Sequence, residues 1–420
     1  MRCSRSNVSR LILVLAMATA VPAAAEVSVP AVFGSHMVLE RDVPIPVWGW
    51  AAAGEEVTVR LDDREEKTKA DADGGWRVTF PPLSTGGDPH TLVVANPKET
   101  IAAADHPQLR LFHVPKVQDK APARDVKAAW KVCTPDNTQN FSAVLYHFGV
   151  KLQAEQKIPI GLINTSWGGS PIEPWTIHDG KSGGMYNGMV APLVPFPIRG
   201  FIWYQGESNV LQKNGLAYFD KMQHLVDGWR TAWGNDQLPF YYVQIAPWEG
   251  RYEGDELCKL WEAQAAALKI PRTGMVVTTD LVDDIKDIHP KNKLDVGQRL
   301  ARWALAKTYG KTDVVYSGPL FKSATADGGR LRLSFAHAAG LAARDGKPLS
   351  EFEVAGADGR FVPATATLDG ETVVVSAAGV AEPKVARFGW RSTANPNLVN
   401  AAGLPASPFQ TDNWRGGTGE

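Results

Sequence analysis

The 420-residue sequence has almost no excess charge of either sign, because 44 lysines and arginines stand against 45 aspartates and glutamates. A chain with this balance has no overall field that would attract nucleic acid or an anionic membrane. Metal-binding spacings such as H-x-x-x-H and C-x-x-C are missing, and so are the Walker and G-x-G-x-x-G motifs of nucleotide-binding proteins. The sequence therefore predicts no metal, no cofactor and no nucleic-acid partner. It favours a small neutral partner.

Long hydrophobic runs are also lacking, except near the start of the chain. The apolar run at residues 11–21 follows Arg2, Arg5 and Arg10 and is followed by the small residues 23–25. This is the pattern of a secretory signal peptide with cleavage near Ala25. The run is shorter than the roughly 20 residues of a membrane-spanning helix, and no later stretch reaches that length. We therefore expect a secreted or periplasmic protein whose mature form, after removal of residues 1–25, is not embedded in a membrane.

Cysteine is scarce, with three in the whole chain. Removal of the predicted signal peptide takes Cys3 away and leaves Cys133 and Cys258. In an oxidising compartment these two could form a disulfide, or they could be two separately buried thiols. The sequence leaves both possibilities open.

The two ends of the chain have the texture of small β modules. Short alternating apolar and polar runs, separated by glycine-containing turns, fill residues 26–96 and return in residues 314–420. Such runs are typical of antiparallel strands joined by hairpins. We therefore predict an N-terminal and a C-terminal β-sandwich-like module on either side of a different central region.

The central region, residues 97–313, alternates between two patterns. Near-continuous apolar runs at 158–165, 200–204, 240–247 and 274–280 are typical of strands buried on both faces. Segments with helical periodicity lie between them. One of these has a single apolar face made of Phe141, Val144, Leu145, Phe148 and Leu152. The alternation predicts an α/β domain with a mostly parallel sheet, in which ligands bind at the carboxyl ends of the strands.

Three polar clusters follow the predicted strands and could carry ester hydrolysis. In the first, the backbone N–H groups of Gly168 and Gly169 could stabilise an oxyanion, although an ordinary turn would look the same. In the second, Gln205 and Asn209 could donate further hydrogen bonds or cap the next helix. The third supplies His289 as a general base, with acidic neighbours at Asp283, Asp284 and Asp287.

The nucleophile is harder to identify. Ser208 lies in the second cluster, but its surroundings, G-E-S-N-V, lack the second glycine of the G-x-S-x-G motif. Ser166 is an alternative, and serines in such turns often bond only to nearby backbone. Glu207 offers a different chemistry, since it could form the carboxylate pair of a glycosidase with one of the acids at 283–287.

Five stretches of the sequence together resemble a known family. They are residues 32–59, 161–176, 186–209, 287–310 and 403–414, which include SWGG, YQGESN and DIHP. These stretches resemble bacterial sialate O-acetylesterases, which are secreted carbohydrate esterases of the SGNH hydrolase class. The resemblance implies a flavodoxin-like α/β domain with flanking β modules, acting on O-acetylated sugars through a serine acyl-enzyme. It implies an oxyanion role for Gly168 or Gly169, support of the oxyanion and substrate by the side chains of 205–209, and His289 as the base.

The sequence departs from this family in two places that concern the site. The family carries its nucleophilic serine in a G-Q-S-N-M block at the end of the first catalytic strand, and this chain has no such block. Its absence predicts unpaired backbone groups on a neighbouring strand, unless residues 91–95 or 109–114 take the vacant place. The position three residues before His289, commonly an aspartate, is Lys286. Asp287, Asp284 or a backbone carbonyl would then orient the histidine.

Three interpretations of the function therefore stand side by side. The first is a sialate O-acetylesterase that is catalytically impaired or uses Ser208 as a replacement nucleophile. The second is an inactive relative that binds acylated glycans or has lost its role. The third is a glycosidase built on Glu207.

Overall fold

The computed structural model describes residues 27–30, 33, 44–62, 64–83, 92–95, 101, 103–412 and 416–417. The predicted signal peptide lies outside these residues. The chain divides into two compact units, Met1–Ala102 and Ala103–Glu420. The division into three modules with boundaries near 96 and 313 stays a prediction. Within the described residues, no helix combines the length and the apolar character that crossing a bilayer requires.

The first unit is built from antiparallel strands. Its strands are β1 (Ile45–Trp50), β2 (Glu56–Leu61), β3 (Arg64–Lys69), β4 (Gly75–Phe80) and β5 (Leu92–Ala95). Strand β1 pairs with β4, and β2 pairs with both β3 and β5. Burial alternates along β2 and β4, so that Val57, Val59, Trp76 and Phe80 point into a shared core. The alternation follows from the two-residue period of a strand with one buried face.

The first part of the second unit mixes strands and helices, as the sequence predicts. The strands are β6 (His106–His113), β7 (Trp130–Cys133), β8 (Ile160–Asn164), β9 (Ile177–His178), β10 (Lys181–Ser182), β11 (Phe201–Trp203), β12 (Phe240–Val243) and β13 (Thr273–Val276). The helices are α1 (Pro135–Thr138), α2 (Ala143–Gln156), α3 (Glu207–Leu211), α4 (Tyr218–Trp233), α5 (Glu256–Ala266) and α6 (Lys293–Trp303). Short 3-10 turns occur at Glu173–Trp175, Ala191–Leu193 and Ala267–Lys269, and π-helical turns at Tyr186–Val190 and Ala304–Thr308.

The four predicted central strands are confirmed as β8, β11, β12 and β13. Strands β11, β12 and β13 form a parallel sheet in that order. Every residue of β12 and β13 is buried, as expected for strands covered on both faces. Helix α4 covers one face, where Trp229 packs against Phe201 and Phe240. Helix α6 covers the other face, where Trp303 packs against Tyr241.

Strand β8 belongs to a different sheet. It pairs in parallel with β6, and β6 pairs with β7 on its far side. Residues 109–114, one of the two candidates for the vacant strand position, therefore lie on the outer side of β8. Of the other candidate, residues 91–95, the described residues Leu92–Ala95 form β5 of the first unit. Neither segment lies between β8 and β11, so each of these two strands has one unpaired edge within the described residues.

The last part of the chain is all β. Its strands are β14 (Leu320–Ala326), β15 (Leu331–Ala336), β16 (Ala342–Ala343), β17 (Phe352–Ala355), β18 (Val362–Pro363), β19 (Thr365–Asp369), β20 (Thr372–Ser376), β21 (Val385–Phe388), β22 (Leu398–Val399) and β23 (Phe409–Gln410). They include two four-stranded antiparallel sheets, in the orders β14-β15-β20-β19 and β18-β17-β21-β23. The core of this part is aromatic, with Phe321 stacked on Phe409 at 4.5 Å.

Two buried polar side chains join this β part to the α/β part of the same unit. Gln244 lies directly after β12 and hydrogen-bonds with Ser407, at 3.0 Å from Nε2 to Oγ.

Cys133 and Cys258 are both buried and both free, and they lie in different hydrophobic clusters. Burial raises the pKa of each thiol, to about 12 for Cys258.

Candidate active site

The three polar clusters predicted from the sequence meet at one end of the sheets. The loops after β8 and β11 and the loop before α6 all contribute to the lining of a single cavity of about 1190 Å³. Gly168 and Gly169 come from the first loop, Glu207 and Ser208 from the second, and His289 from the third. The polar clusters follow the carboxyl ends of parallel strands, which is where ligands bind in sheets of this type.

The loop after β8 presents two open glycines. Gly169 has φ +78°, in the left-handed region that favours glycine. A Cβ built on either Gly168 or Gly169 would meet nothing within 4 Å, so space lies beside both. Among the described residues, no protein acceptor takes the N–H of either glycine. These two N–H groups are therefore available to a bound oxyanion.

The loop after β11 is fixed by buried amide side chains. The Asn209 side chain accepts from Ile172 N at 3.0 Å and from Gln205 Nε2 at 2.9 Å, and it donates to both carboxylate oxygens of Glu173. Gln205 Nε2 also donates to Ser170 O at 3.1 Å. The donors of both amides are thus engaged by protein acceptors. In this arrangement Gln205 and Asn209 hold the first two loops together.

A partly exposed ion pair anchors this amide network. Lys221 from α4 pairs with the carboxylate of Glu173. Burial acts to raise the pKa of Glu173, but hydrogen bonds from Lys221 and Asn209 outweigh it, so that the pKa lies below its ordinary value. The network depends on residues that are far apart in the sequence. Lys221 could not have been singled out from the sequence, because it lies inside helix α4 and follows no strand.

Ser208 joins the same two loops through its hydroxyl. Its Oγ donates to the carbonyl oxygen of Gly169 at 2.9 Å. The alternative serine, Ser166, donates to Asn164 Oδ1 at 2.8 Å. Both hydroxyl protons are directed at protein acceptors rather than at an imidazole. A hydroxyl can rotate about its C–O bond, so either serine can change partner without movement of the backbone.

His289 is the exposed base candidate of the site. Its side chain is 82% exposed, and its Nδ1 lies 3.8 Å from Asp287 Oδ1, too far for a hydrogen bond. The same carboxylate oxygen accepts the backbone N–H of His289 at 2.8 Å. Asp284 instead accepts the N–H of Lys286 at 2.9 Å. Asp287 is therefore the acid that the loop places beside the histidine.

Glu207 has an unusual electrostatic position at the start of α3. Burial raises its pKa, while backbone hydrogen bonds and electrostatic interactions with His289 and Lys293 act in the opposite direction without cancelling the effect. Tyr204 lies under Lys293, with Nζ 5.5 Å from the ring centre. Tyr252 has a buried hydroxyl with no hydrogen-bond partner among the described residues. Its pKa is raised by burial and by the charge of Glu207. The sequence pattern does not single out Tyr252, although it follows the predicted strand at 240–247, because a tyrosine in a loop gives no sign that its hydroxyl is buried.

A metal centre finds no support in this geometry. The described residues contain no group of three or more histidine, cysteine, aspartate or glutamate side chains that could hold a metal ion. The arrangement instead combines free backbone donors, hydroxyl groups and a histidine beside a carboxylate. Those are the elements of acyl transfer by general-base catalysis.

Comparison with known proteins agrees with this chemistry. The model of the family described as "Carbohydrate esterase, sialic acid-specific acetylesterase" matches residues 94–306. The solved structure of a carbohydrate acetylesterase from Xanthomonas citri is similar, with a TM-score of 0.72 and 36% identity over 92% of this chain and 100% of that one. Sialate O-acetylesterase from Homo sapiens is 26% identical over 377 residues, covering 68% of this chain and 72% of that protein. The Rattus norvegicus enzyme is 26% identical over 405 residues, covering 69% and 74%.

The mixed α/β fold and these matches define a carbohydrate esterase, a carboxylic ester hydrolase that acts on an acetylated sugar. Within that class, the chain belongs to the sialic acid-specific acetylesterase family. The family resemblance deduced from the sequence is thereby confirmed.

Proposed function

We propose that this chain removes O-acetyl groups from sialic acid or a closely related sugar at the cavity mouth formed by the three loops. One observation carries the proposal: the free N–H groups of Gly168 and Gly169, the Ser208 hydroxyl and the exposed His289 imidazole belong to the lining of one cavity. An ester carbonyl at this mouth would have oxyanion donors and a base at hand. Family membership supports the acetylated sugar as the substrate class.

His289 is the proposed general base, and Asp287 is the proposed positioning residue. The imidazole takes a proton from the attacking hydroxyl and returns it to the leaving sugar oxygen. Asp287 fixes the loop by accepting the backbone N–H of His289, and its charge stabilises the imidazolium that forms during attack. A modest rotation of the exposed ring would bring Nδ1 from 3.8 Å to hydrogen-bond distance of the carboxylate.

Ser208 is the proposed replacement nucleophile. Its hydroxyl donates to Gly169 O, so attack requires it to leave that carbonyl and donate to His289. Attack on the ester carbonyl would give an acetyl-Ser208 intermediate and release the sugar hydroxyl. Water, activated by the same histidine, would then release acetate and restore the serine.

Two finer features belong to this proposal. We take the sheets β7-β6-β8 and β11-β12-β13 as two parts of a flavodoxin-like arrangement flanked by β-sandwich-like modules, because both carry their polar loops at the same end. We also propose export after cleavage near Ala25, a proposal that rests on the sequence pattern of residues 1–25.

The test is acetate release from an aryl acetate and from O-acetylated sialic acid by the wild-type chain, His289→Ala and Ser208→Ala. We expect both variants to lose about 10³-fold or more of kcat, since a nucleophile and its base act as one unit. Circular dichroism checks that each variant is folded. Full activity of folded His289→Ala would remove the histidine from the mechanism. Full activity of Ser208→Ala would move the nucleophile to another hydroxyl, with Ser166→Ala as the next variant.

A second candidate function has a specific observation in its favour. The Ser208 hydroxyl donates to Gly169 O and not to His289, which is the arrangement of a structural serine. On this interpretation the chain binds O-acetylated sugars without hydrolysing them. Saturable binding of O-acetylated sialic acid by a folded wild-type chain that releases no acetate would favour it. Labelling of Ser208 by a serine-reactive phosphonate would count against it.

A further inference from the structure

Within the described residues, no strand occupies the position between β8 and β11. The polar loops that follow these two strands meet, since Ser208 Oγ bonds to Gly169 O and Gln205 Nε2 bonds to Ser170 O. The carboxyl ends of β8 and β11 therefore lie at the same end, and the two strands run in the same direction. Both line the cavity of about 1190 Å³, and neither is paired with the other.

The backbone groups that face this position can be identified from the strand pairing. Phe201 N donates to Pro239 O, so the N–H groups of Phe201 and Trp203 point toward β12. The N–H and C=O groups of Ile202, the residue between them, point the opposite way. On β8, Asn164 O accepts from Val114 N on the β6 side. By the same alternation, the N–H and C=O of Gly161 and Ile163 point away from β6. None of these groups has a hydrogen-bond partner among the described residues.

Apolar side chains lie above and below this strand position. On one side, α2 directs Val144, Leu145 and Phe148 into the cavity, and all three are only half-buried although they form the apolar face of their helix. On the other side lie Trp175 and Trp229. An amphipathic helix buries its apolar face against a sheet, and under this part of α2 the sheet is missing.

The size of the cavity matches one strand. A strand takes up about 4.8 Å between its neighbours, about 3.3 Å per residue along its length and about 10 Å across both faces. Seven residues fill on the order of 1100 Å³, so the cavity of about 1190 Å³, which also includes the mouth at Ser208 and His289, has room for a strand of up to about this length. Large apolar side chains are exposed at its lining, among them Trp130 at 41% and both Ile158 and Phe196 at 48%.

We propose that this position is a binding site for an extended apolar strand from a separate polypeptide, which inserts between β8 and β11 parallel to both. The free N–H and C=O groups on two facing edges determine the chemistry of the occupant. Only another extended backbone offers donors and acceptors at alternate positions to both sides, whereas a lipid or a sugar would leave most of them unpaired. The apolar faces require apolar side chains on both sides of the strand.

The site lies beneath the loops of the candidate active site, and the inference does not depend on ester hydrolysis. Insertion of a strand would join the two sheets into one continuous parallel sheet. It would also bury the half-exposed apolar face of α2. We therefore expect strand binding to raise the thermal stability of the second unit whether or not the chain turns over an ester.

The test uses the full chain and a capped heptapeptide of alternating valine and alanine, flanked by lysines for solubility. Two further peptides carry N-methyl groups on alternate residues, so that each loses the N–H groups directed at one edge. We expect saturable one-to-one binding by calorimetry, and affinity at least about tenfold weaker for both methylated peptides. Hydrogen exchange at Gly161, Ile163 and Ile202 should slow when the unmodified peptide binds.

A variant tests the same edge from the protein side. Ile202→Pro removes an N–H that points away from β12, so the ladder between β11 and β12 keeps its bonds. We expect at least about tenfold weaker peptide binding, whereas Ile202→Val keeps the N–H and should bind as the wild type does. Absence of binding by the wild type, or equal binding of all three peptides, would overturn the proposal. So would slow exchange at these amides in the peptide-free chain, since the chain itself would then fill the position.

Discussion

At the scale of single residues, the sequence identified the groups that follow strands and missed those that reach the site from elsewhere. Gly168, Gly169 and His289 were predicted because each follows an apolar run at the end expected to bind ligand. Tyr252 and Lys221 could not be predicted in this way, because their positions depend on how distant segments fold together. The engagement of Gln205 and Asn209 with Glu173 was also beyond the sequence, since an amide in a turn can donate either to a ligand or to the protein.

Glu207 gives a prediction at the same scale. Its pKa lies above the ordinary value of 4.5 because of burial. The folded chain therefore holds this proton at pH values where the unfolded chain has lost it. The stability contributed by the protonated group is complete below the unfolded pKa and is lost as the pH rises through the folded pKa. Thermal unfolding should show that wild type loses more stability than Glu207→Gln as the pH rises above the ordinary glutamate value of 4.5.

The control for this experiment is Glu253→Gln, which removes a carboxylate that is 70% exposed and paired with Lys213. An exposed pair of this kind contributes little to stability, so this variant should follow the wild type across the pH range. Parallel pH dependence of wild type and Glu207→Gln would show that Glu207 does not titrate with a raised pKa.

At the scale of elements, the strands were easier to predict than the way they are joined. Strands β12 and β13 are buried along their whole length and read as apolar runs for that reason. The helix at 141–152 was predicted from one apolar face, and the structure confirms it as α2. Four of the five residues of that face nevertheless line a cavity. Periodicity shows which side of a helix is apolar, but it cannot show whether a sheet lies beneath it.

The contact between α2 and α6 provides a second prediction. A Cβ on Gly297 of α6 would lie 2.7 Å from Val144 O and 2.8 Å from Phe148 N. Both are backbone atoms of a helix, so relieving the clash requires a shift of the main chain. Gly297→Ala should therefore destabilise the chain by about 1–3 kcal/mol in urea unfolding. Gly149→Ala on α2 is the matched variant, because its Cβ would meet only the side chain of Leu162, at 2.5 Å.

The end of a leucine side chain can shift, and alanine favours a helix over glycine by about 1 kcal/mol. Gly149→Ala should therefore cost clearly less than Gly297→Ala or stabilise the chain slightly. If both variants had the same effect, backbone contact at Gly297 would not be what limits the approach of the two helices.

At the scale of the whole molecule, the chain forms two compact units, and each has hydrophobic clusters of its own among the described residues. The core of the first unit contains Leu61, and none of its members lies beyond residue 94. The C-terminal β part has a core of its own around Leu333, but buried hydrogen bonds such as Gln244 to Ser407 tie it to the α/β part. The pattern of apolar and polar residues distinguishes the β-rich ends from the centre. It carries no information on hydrogen bonds between distant segments.

Two matched variants test how far the units unfold independently. Leu61 is 1% exposed and Leu333 is 0% exposed, so replacing either with alanine should cost about 2–5 kcal/mol. In differential scanning calorimetry, Leu61→Ala should lower only the transition of the first unit, by about 10 °C or more. Leu333→Ala should lower the transition of the second unit, in which the β part and the α/β part unfold together. If Leu61→Ala shifted all of the unfolding heat, the two units would be one cooperative structure, and a third separate transition in Leu333→Ala would make the C-terminal β part a module of its own.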